Sequence, residues 1–312
     1  MRHIRVPMEN AETALREARK RRITMEGYSV FNDGNYVYIP VGDSDVADFP
    51  VVDVEGRRNR RPETPQRTSG SFDVIGEIAI IKARDLDKAH RIASAIMARK
   101  GSIKSVYMDT GISGEYRLRN LVLVSGPEMR STIHRENGVV LKVDLEKVYF
   151  SPRLATERLL LSGRVKDGER ILDMFCGVGP FAITIARKRS AEIMAVDKNP
   201  SAIELLEENI RMNRLKGHIT AAACDALSYA GKLSGMDRII MNLPESSGEF
   251  LGAAIGAARK GGVINYYENL EVGNLGKRMR EIMDLGLEIK AKREVHSLSR
   301  SERMYSLELI VS

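Results

Sequence analysis

Cysteine is nearly missing from this chain. Cys176 and Cys224 are the only two in 312 residues, and they stand far apart. That excludes a disulfide scaffold and any Cys-x-x-Cys zinc site, and no metal centre is expected. Such cysteine usage points to the reducing cytoplasm. No apolar run approaches the length of a membrane span, and Met1-Arg-His-Ile-Arg5-Val-Pro7 lacks the apolar segment of a secretory signal. No internal repeat or low-complexity tract is visible. What remains is ample core material, 43% hydrophobic residues, and a net charge of +7. The charge suits a polyanionic partner such as nucleic acid. Nothing in the sequence demands a membrane or an obligate protein partner.

One stretch organises the rest, Arg170-Ile-Leu-Asp-Met-Phe-Cys-Gly-Val-Gly-Pro-Phe-Ala182. A short apolar run stops at a glycine pair, and a helical pattern opens at Pro180. Strand, glycine turn and helix build a nucleotide site in an open α/β sheet, because glycine admits a ligand to the backbone and a helix N-terminus offers free N–H groups. From residue 151 onward, strands alternate with helices. Strands are predicted at Glu192–Val196, Ile219–Ala223, Arg238–Met241 and Val263–Tyr267, followed by two more near Leu287–Arg293 and Met304–Val311. The pattern predicts a mostly parallel, doubly wound sheet with an antiparallel edge.

Upstream, three further segments are predicted. Residues 1–45 form a small α/β unit, with a helix over Ala11–Arg22 and a hairpin about Asn32–Asn35. Residues 46–70 are a basic Pro/Arg-rich linker containing Arg57-Arg58-Asn59-Arg60-Arg61-Pro62. Residues 71–150 are a second α/β unit. It starts with one strand over Asp73–Ile81 and contains a loop, Gly111–Asn120, whose glycines and paired arginines suggest placed cations.

Gly177-Val-Gly179-Pro-Phe-Ala182, with Asp197 downstream, also fits a relaxed dinucleotide pattern. Three features separate the readings. Asp173 sits at the end of the first strand, where it can meet a ligand amine. Asp225 ends the third strand, and Asn242-Leu-Pro244 ends the fourth. An acidic crevice suits a cationic sulfonium and dispenses with a pyrophosphate nest. Together these residues describe S-adenosylmethionine better than NAD. Each acid alone could equally cap a strand end.

Gly114-Glu-Tyr-Arg-Leu-Arg119, His134-Arg-Glu-Asn-Gly138, Val148-Tyr-Phe-Ser-Pro-Arg-Leu154, Thr156-Glu-Arg158, Asp173-Met-Phe-Cys-Gly-Val-Gly-Pro-Phe181, Asn242-Leu-Pro244 and Tyr266-Tyr267 occur in this order. With them the chain resembles the archaeal and eukaryotic type of tRNA guanosine-37 N1-methyltransferase over nearly its whole length. The resemblance implies a Rossmann-like, class I S-adenosylmethionine-dependent methyltransferase domain over 151–312, preceded by two small α/β domains. It makes 71–150 an RNA-binding domain that lends an arginine to the active site. It implies Glu157 as general base, Arg117 as the O6-stabilising cation, Asn242 as the residue positioning the target base, and Pro244 as the shaper of that turn. For the cofactor, Asp197 would hold the ribose hydroxyls and Asp225 the adenine. Phe175, Cys176, Gly177, Val178 and Gly179 would line the methionine part, beside Asp173 and Asn242. Arg117, Arg119, Tyr149, Arg153 and the Tyr266-Tyr267 pair are expected as tRNA contacts or pocket walls. The substrate implied is tRNA, touched at its anticodon loop and, through residues 1–45, at a distant element. The near relatives in wyosine synthesis, aminocarboxypropyl transferases or enzymes that also methylate a tricyclic intermediate, are the competing expectation. The Asn-Leu-Pro form favours the methyltransferase.

Overall fold

The computed structural model describes residues 1–21, 23–25, 27–42, 49–57 and 72–312, in two compact units, Met1–Arg67 and Thr68–Ser312. The first unit holds β1 (Arg2–Pro7), α1 (Ala11–Lys20), β2 (Phe31–Asn32), β3 (Tyr36–Pro40) and β4 (Val51–Asp53). They form an antiparallel sheet in the order β2-β3-β1-β4. Ile4, Val6 and Ile39 pack under Ala14 and Ala18 of α1. The expected hairpin is present. Asp33 makes its turn by accepting from the N–H groups of Asn35 (3.0 Å) and Tyr36 (2.8 Å) and from the Tyr38 hydroxyl (2.7 Å), while Gly34 takes φ +99°.

Two strands of this unit, β1 and β4, depart from the sequence expectations. β1 was not expected, because His3 and Arg5 interrupt its apolar pattern. His3 is nonetheless fully buried, edge-on to Phe31. β4 lies inside the expected linker, where Val51 and Val52 pair with Ile4 and His3. The strand pairing therefore extends this unit beyond residue 45. The remaining Pro/Arg-rich stretch, 58–70, lies outside the described residues.

In the second unit, β5 (Asp73–Ile75) and β6 (Ile78–Ile81) are a hairpin rather than one strand. Gly76 makes the turn at φ +54°, and a Cβ there would run into Thr132 and the Ile133 carbonyl. Next come α2 (Leu86–Arg99), β7 (Ser105–Ser113) and β8 (Leu118–Ser125). Asp85 caps α2 by accepting from the Lys88 N–H at 2.7 Å. The four strands form a sheet, β5-β6-β7-β8, with Ala89, Ala93 and Ile96 of α2 against Ala79, Ile81 and Val106. The expected 111–120 loop is mostly strand, and only Gly114–Arg117 turns between β7 and β8.

Among the described residues, β9 (Ser131–Glu136) and β10 (Val139–Asp144) pair only with each other. They were assigned to the 71–150 domain, but they are tied to a helix of the following sheet domain, α5 (Pro200–Met212). Asn209 at its C-terminal end accepts from the Lys142 N–H (2.6 Å) and donates to the Lys142 carbonyl (3.1 Å). Asn213, just past that end, does the same with Val140 at 2.9 and 2.7 Å. Two side-chain amides four residues apart on a helix thus substitute for a strand edge.

The sheet domain contains α3 (Ala155–Arg164), β11 (Arg170–Asp173), α4 (Pro180–Lys188), β12 (Glu192–Asp197), α5 as given, β13 (His218–Ala223) and α6 (Ala226–Ala230). It continues through β14 (Met236–Met241), α7 (Ser247–Ala257), β15 (Ala258–Glu271), α8 (Leu275–Asp284), β16 (Leu287–Ser297) and β17 (Glu302–Val311). The order β13-β12-β11-β14-β15-β17-β16 is parallel through β15 and antiparallel at β17 and β16. Apolar cores cover both faces, one around Ile171, Ile193 and Leu206, the other around Leu172, Ile239 and Leu251. β11 is central, and its neighbours β12 and β14 follow it by opposite routes. Their carboxyl ends therefore open a crevice where an open α/β sheet binds its ligand.

A buried polar network mounts α3 on the strands before it. The Gly76 N–H donates to His134 Nδ1 at 3.2 Å, which leaves the imidazole proton on Nε2, facing Glu136 Oε2 at 3.2 Å. Arg158 completes it with two bonds to Glu136, at 2.5 and 2.6 Å, although it is only 2% exposed. Burial pushes the Glu136 carboxyl up, but the bonds from His134 and Arg158 outweigh it and hold the group below its usual range. The His134–Gly138 and Thr156–Arg158 motifs thus serve largely to position α3.

Candidate active site

Asp197, Asp225 and Asn242 line one cavity of about 670 Å³ at the carboxyl ends of β12, β13 and β14, and Met174, which follows Asp173 at the end of β11, lines it too. Phe175, Cys176, Gly177 and Val178 form its floor. Gly177 at φ +52° and Gly179 at φ +83° turn the chain into α4. A Cβ on Gly179 would strike Leu206 of α5, whereas one on Gly177 would meet nothing. One glycine is therefore set by close packing as well as by φ, the other by φ alone. The Cys176 N–H bonds the Val196 carbonyl at 2.9 Å, and burial pushes its thiol well up. Cys176 is packing, with no thiolate to offer.

The three acids differ in what they lack. Asp197 accepts one bond on each oxygen, from the N–H groups of Gly177 (2.8 Å) and Asn199 (2.9 Å), and burial raises its pKa. Each oxygen keeps a free lone pair for a ligand hydroxyl. Asp225 is the N-cap of α6, bonded to the Ser228 N–H at 2.9 Å, which lowers its pKa. The strand-end cap is thus realised there, although the residue also lines the cavity. Asp173 is 1% exposed, and neither of its carboxylate oxygens finds a partner. Burial pushes it up to about 7, opposed by a pull from the Phe175 backbone and assisted by the Asp197 charge. An unpartnered buried acid beside a glycine turn fits a cationic amine. The chain's own atoms therefore fit S-adenosylmethionine, whose sulfonium and ammonium groups are cationic. Asn242 also carries an unpartnered Oδ1, and the Pro244 carbonyl after it accepts from the Asn269 N–H at 2.8 Å.

The β7–β8 turn brings Arg117 to the same cavity, in the left-handed region at φ +57°. Its guanidinium makes a bidentate ion pair with Glu245, which follows the Asn242-Leu-Pro turn, and it holds that carboxyl below its ordinary range. Glu115 of the same turn pairs with Lys198, just after β12. The hairpin tip is thus bolted to loops after two strands.

Other expectations need correcting. Arg119 is no free tRNA contact. Its side chain is 8% exposed and pinned between Asp109 (3.0 Å) and Asp73 (3.1 Å), with Tyr149 against it at 5.2 Å. Arg153 also pairs with Asp73, at 2.6 Å, but like Tyr149 it remains open to solvent. Tyr266 and Tyr267 lie in the cores on either side of the sheet and do not line the cavity. Glu157, on the first turn of α3, is 3% exposed, paired with Arg293 of β16, and outside the lining of the cavity. Cavity residues not foreseen include Glu245, Asn269, His296 and Met304. Only the neighbourhood of Asn242-Leu-Pro could have pointed to the first of these.

Comparison with known proteins agrees with this geometry. The model of the TRM5/TYW2 methyltransferase domain matches residues 132–290, that of the TYW2 N-terminal domain 58–129, and that of the tRNA methyltransferase 5 N-terminal domain 4–47. The chain is 38% identical to the tRNA (guanine(37)-N(1))-methyltransferase Trm5b of Pyrococcus abyssi over 331 aligned positions, which cover 99% of this chain and 98% of the relative. It is 31% identical to a tRNA(Phe) (4-demethylwyosine(37)-C(7)) aminocarboxypropyltransferase of Pyrococcus horikoshii, over 63% of this chain and 70% of that one. A solved complex of aTrm5 with tRNALeu superposes with a TM-score of 0.85 at 28% identity, covering 100% of both chains. The chain belongs to the TRM5/TYW2 family of S-adenosylmethionine-dependent methyltransferases.

Proposed function

We propose that this chain methylates N1 of guanosine 37 in tRNA. The observation that carries the reading is the meeting of Arg117 and Asn242 at one cavity, whose Met174 directly follows the unpartnered Asp173, the acid that takes the cofactor's ammonium group. End-to-end similarity to Trm5b supports it. S-adenosylmethionine supplies an electrophilic methyl group, so the chain's task is to make N1 nucleophilic and to hold it in line. N1 of guanine is protonated at neutral pH. Removing that proton puts negative charge on O6, where a guanidinium stabilises it. Arg117 takes that role by exchanging Glu245 for the base oxygen. Glu157 accepts the proton, which requires it to leave Arg293. Asn242 offers an unsatisfied amide to the base, on a turn that Pro244 and Asn269 fix. Asp197 and Asp225 take the ribose and adenine ends of the cofactor. Arg153 and Tyr149, exposed at the rim, are the tRNA contacts.

With methyl-labelled cofactor and unmodified transcripts differing only at position 37, label enters the G37 transcript and not the A37 one. Equal labelling of both would refute the assignment. Aminocarboxypropyl transfer is the second reading; Asn242-Leu-Pro244 and the full-length match to the methyltransferase count against it.

The N-terminal unit reads a distant part of the tRNA. Its aromatics lie beside arginines, Arg57 over Phe31 at 4.5 Å and Arg5 over the exposed Tyr36 at 4.8 Å. Deleting residues 1–65 weakens tRNA binding and flattens its salt dependence. Unchanged affinity and an unchanged salt slope would remove this role.

A further inference from the structure

Buried polar atoms without a partner cluster in one place. Among the described residues of the second unit they belong to Arg119, Asp173, Arg189, Asn242, Asn269 and His296; Arg119, Asn242, Asn269 and His296 line the cavity, and Asp173 directly precedes its Met174. Native proteins leave few such atoms, so a cluster inside one cavity marks where a ligand bonds. Asp173 and Asn242 already have assignments. Asn269 and His296 do not.

Asn269 on β15 pairs in register with Met304 on β17, and Met304 pairs with His296 on β16. Directly opposed residues project to the same face of a sheet, and all three line the cavity. They form a row, amide, thioether, imidazole. Neighbouring strands lie ~4.8 Å apart, so the outer two backbones stand roughly 10 Å apart. That leaves room for a flat ring with a hydrogen bond at each edge. Asn269 Oδ1 and His296 Nδ1 are the unpartnered atoms, and Met304 is 3% exposed between them. A thioether against an aromatic ring is a favourable contact. At one end, the Asn269 N–H ties the row to the Pro244 carbonyl, hence to the Asn242 turn. At the other, His296 feels the charges of Arg153, Asp73 and Glu157.

We propose that the Asn269–Met304–His296 row is the seat of the purine that receives the methyl group, with Met304 under its ring and Asn269 and His296 at its edges. The proposal rests on the reading of an RNA base as substrate. It explains how one base spans from the asparagine at the cofactor crevice toward the glutamate on α3. Burial, reinforced by the Arg153 charge, lowers the His296 pKa, which keeps the ring neutral and able to donate or accept.

The test uses the full chain and a tRNA transcript with the fluorescent base 2-aminopurine at position 37, whose emission rises when the base leaves the stack and is captured. Asn269→Ala and His296→Gln each cut that rise at least about threefold and slow single-turnover methylation of G37 about tenfold, the size of one lost hydrogen bond. Cofactor affinity by calorimetry and the melting temperature stay at wild-type values. Asn269→Ser, which keeps a small polar group, replaces Asn269→Ala if the latter fails to fold. Wild-type fluorescence in the variants, a parallel loss of cofactor affinity, or no rise with the wild-type chain overturns the proposal. If the wild type captures the base and the variants do not, yet G37 is never methylated, the seat stands and the guanosine reading falls.

Discussion

Glu157→Gln slows methyl transfer by a factor of about 10²–10⁴, the usual worth of a positioned general base, without weakening cofactor binding. Glutamine keeps the size and the hydrogen-bonding shape but cannot take the N1 proton. Cofactor affinity should hold, because Glu157 is not among the residues lining the cavity. The fold should survive as well. The side chain left without its counter-charge, that of Arg293, is 38% exposed and can be hydrated. Single-turnover rates with G37 transcript, and calorimetry with S-adenosylmethionine, check both halves. A rate within about twofold of wild type would show that the base is elsewhere. Loss of cofactor binding would place Glu157 in the cofactor site instead.

Asp173→Asn has opposite effects on affinity and on stability. Its cationic partner goes unneutralised, so cofactor affinity falls about 30-fold or more, the lower end for a lost buried charge pair. Without cofactor the sign reverses. Burial holds the folded carboxyl at about 7, against about 3.9 in an unfolded chain. Between those values the folded state keeps a proton that the unfolded state has lost, so wild-type stability falls as pH rises through the window. Three pKa units correspond to about 4 kcal/mol. The asparagine variant lacks this slope and is the more stable apoprotein at pH 8. In the wild type, binding a cation expels the proton, so cofactor affinity climbs with pH up to about 7 and then levels. Urea denaturation at pH 5 and 8, with calorimetry across the same range, measures both. Equal slopes in the two proteins, or unchanged affinity in the variant, would contradict this role for Asp173.

The doubly wound sheet was legible because parallel strands buried on both faces read as short apolar runs, each stopped here by a polar residue. Asp173, Asp197, Asp225 and Asn242 mark those stops; the structure brings the last three to one cavity and leaves Asp173 buried just behind its Met174. What escaped reading is mostly polarity put to structural use. Arg119 looks like a surface cation in sequence; only the fold places Asp73 and Asp109 on either side of it. Asn209 and Asn213 look like ordinary helix polar residues, yet they hold β10. β1 was hidden by His3, a polar residue that is buried. Glu157 was named through resemblance alone, and its pairing with Arg293 is something no spacing reveals. Asn269 and His296 meet only through strand register.

The central claim is that this cavity delivers a methyl group to one nitrogen of one base. The most direct measurement is mass spectrometry of nucleosides from a G37 transcript incubated with the protein and S-adenosylmethionine. The expected result is 1-methylguanosine as the sole new nucleoside, mapped to position 37 and formed far more slowly with Glu157→Gln. A methyl at another atom or position, or a heavier aminocarboxypropyl group, would contradict it.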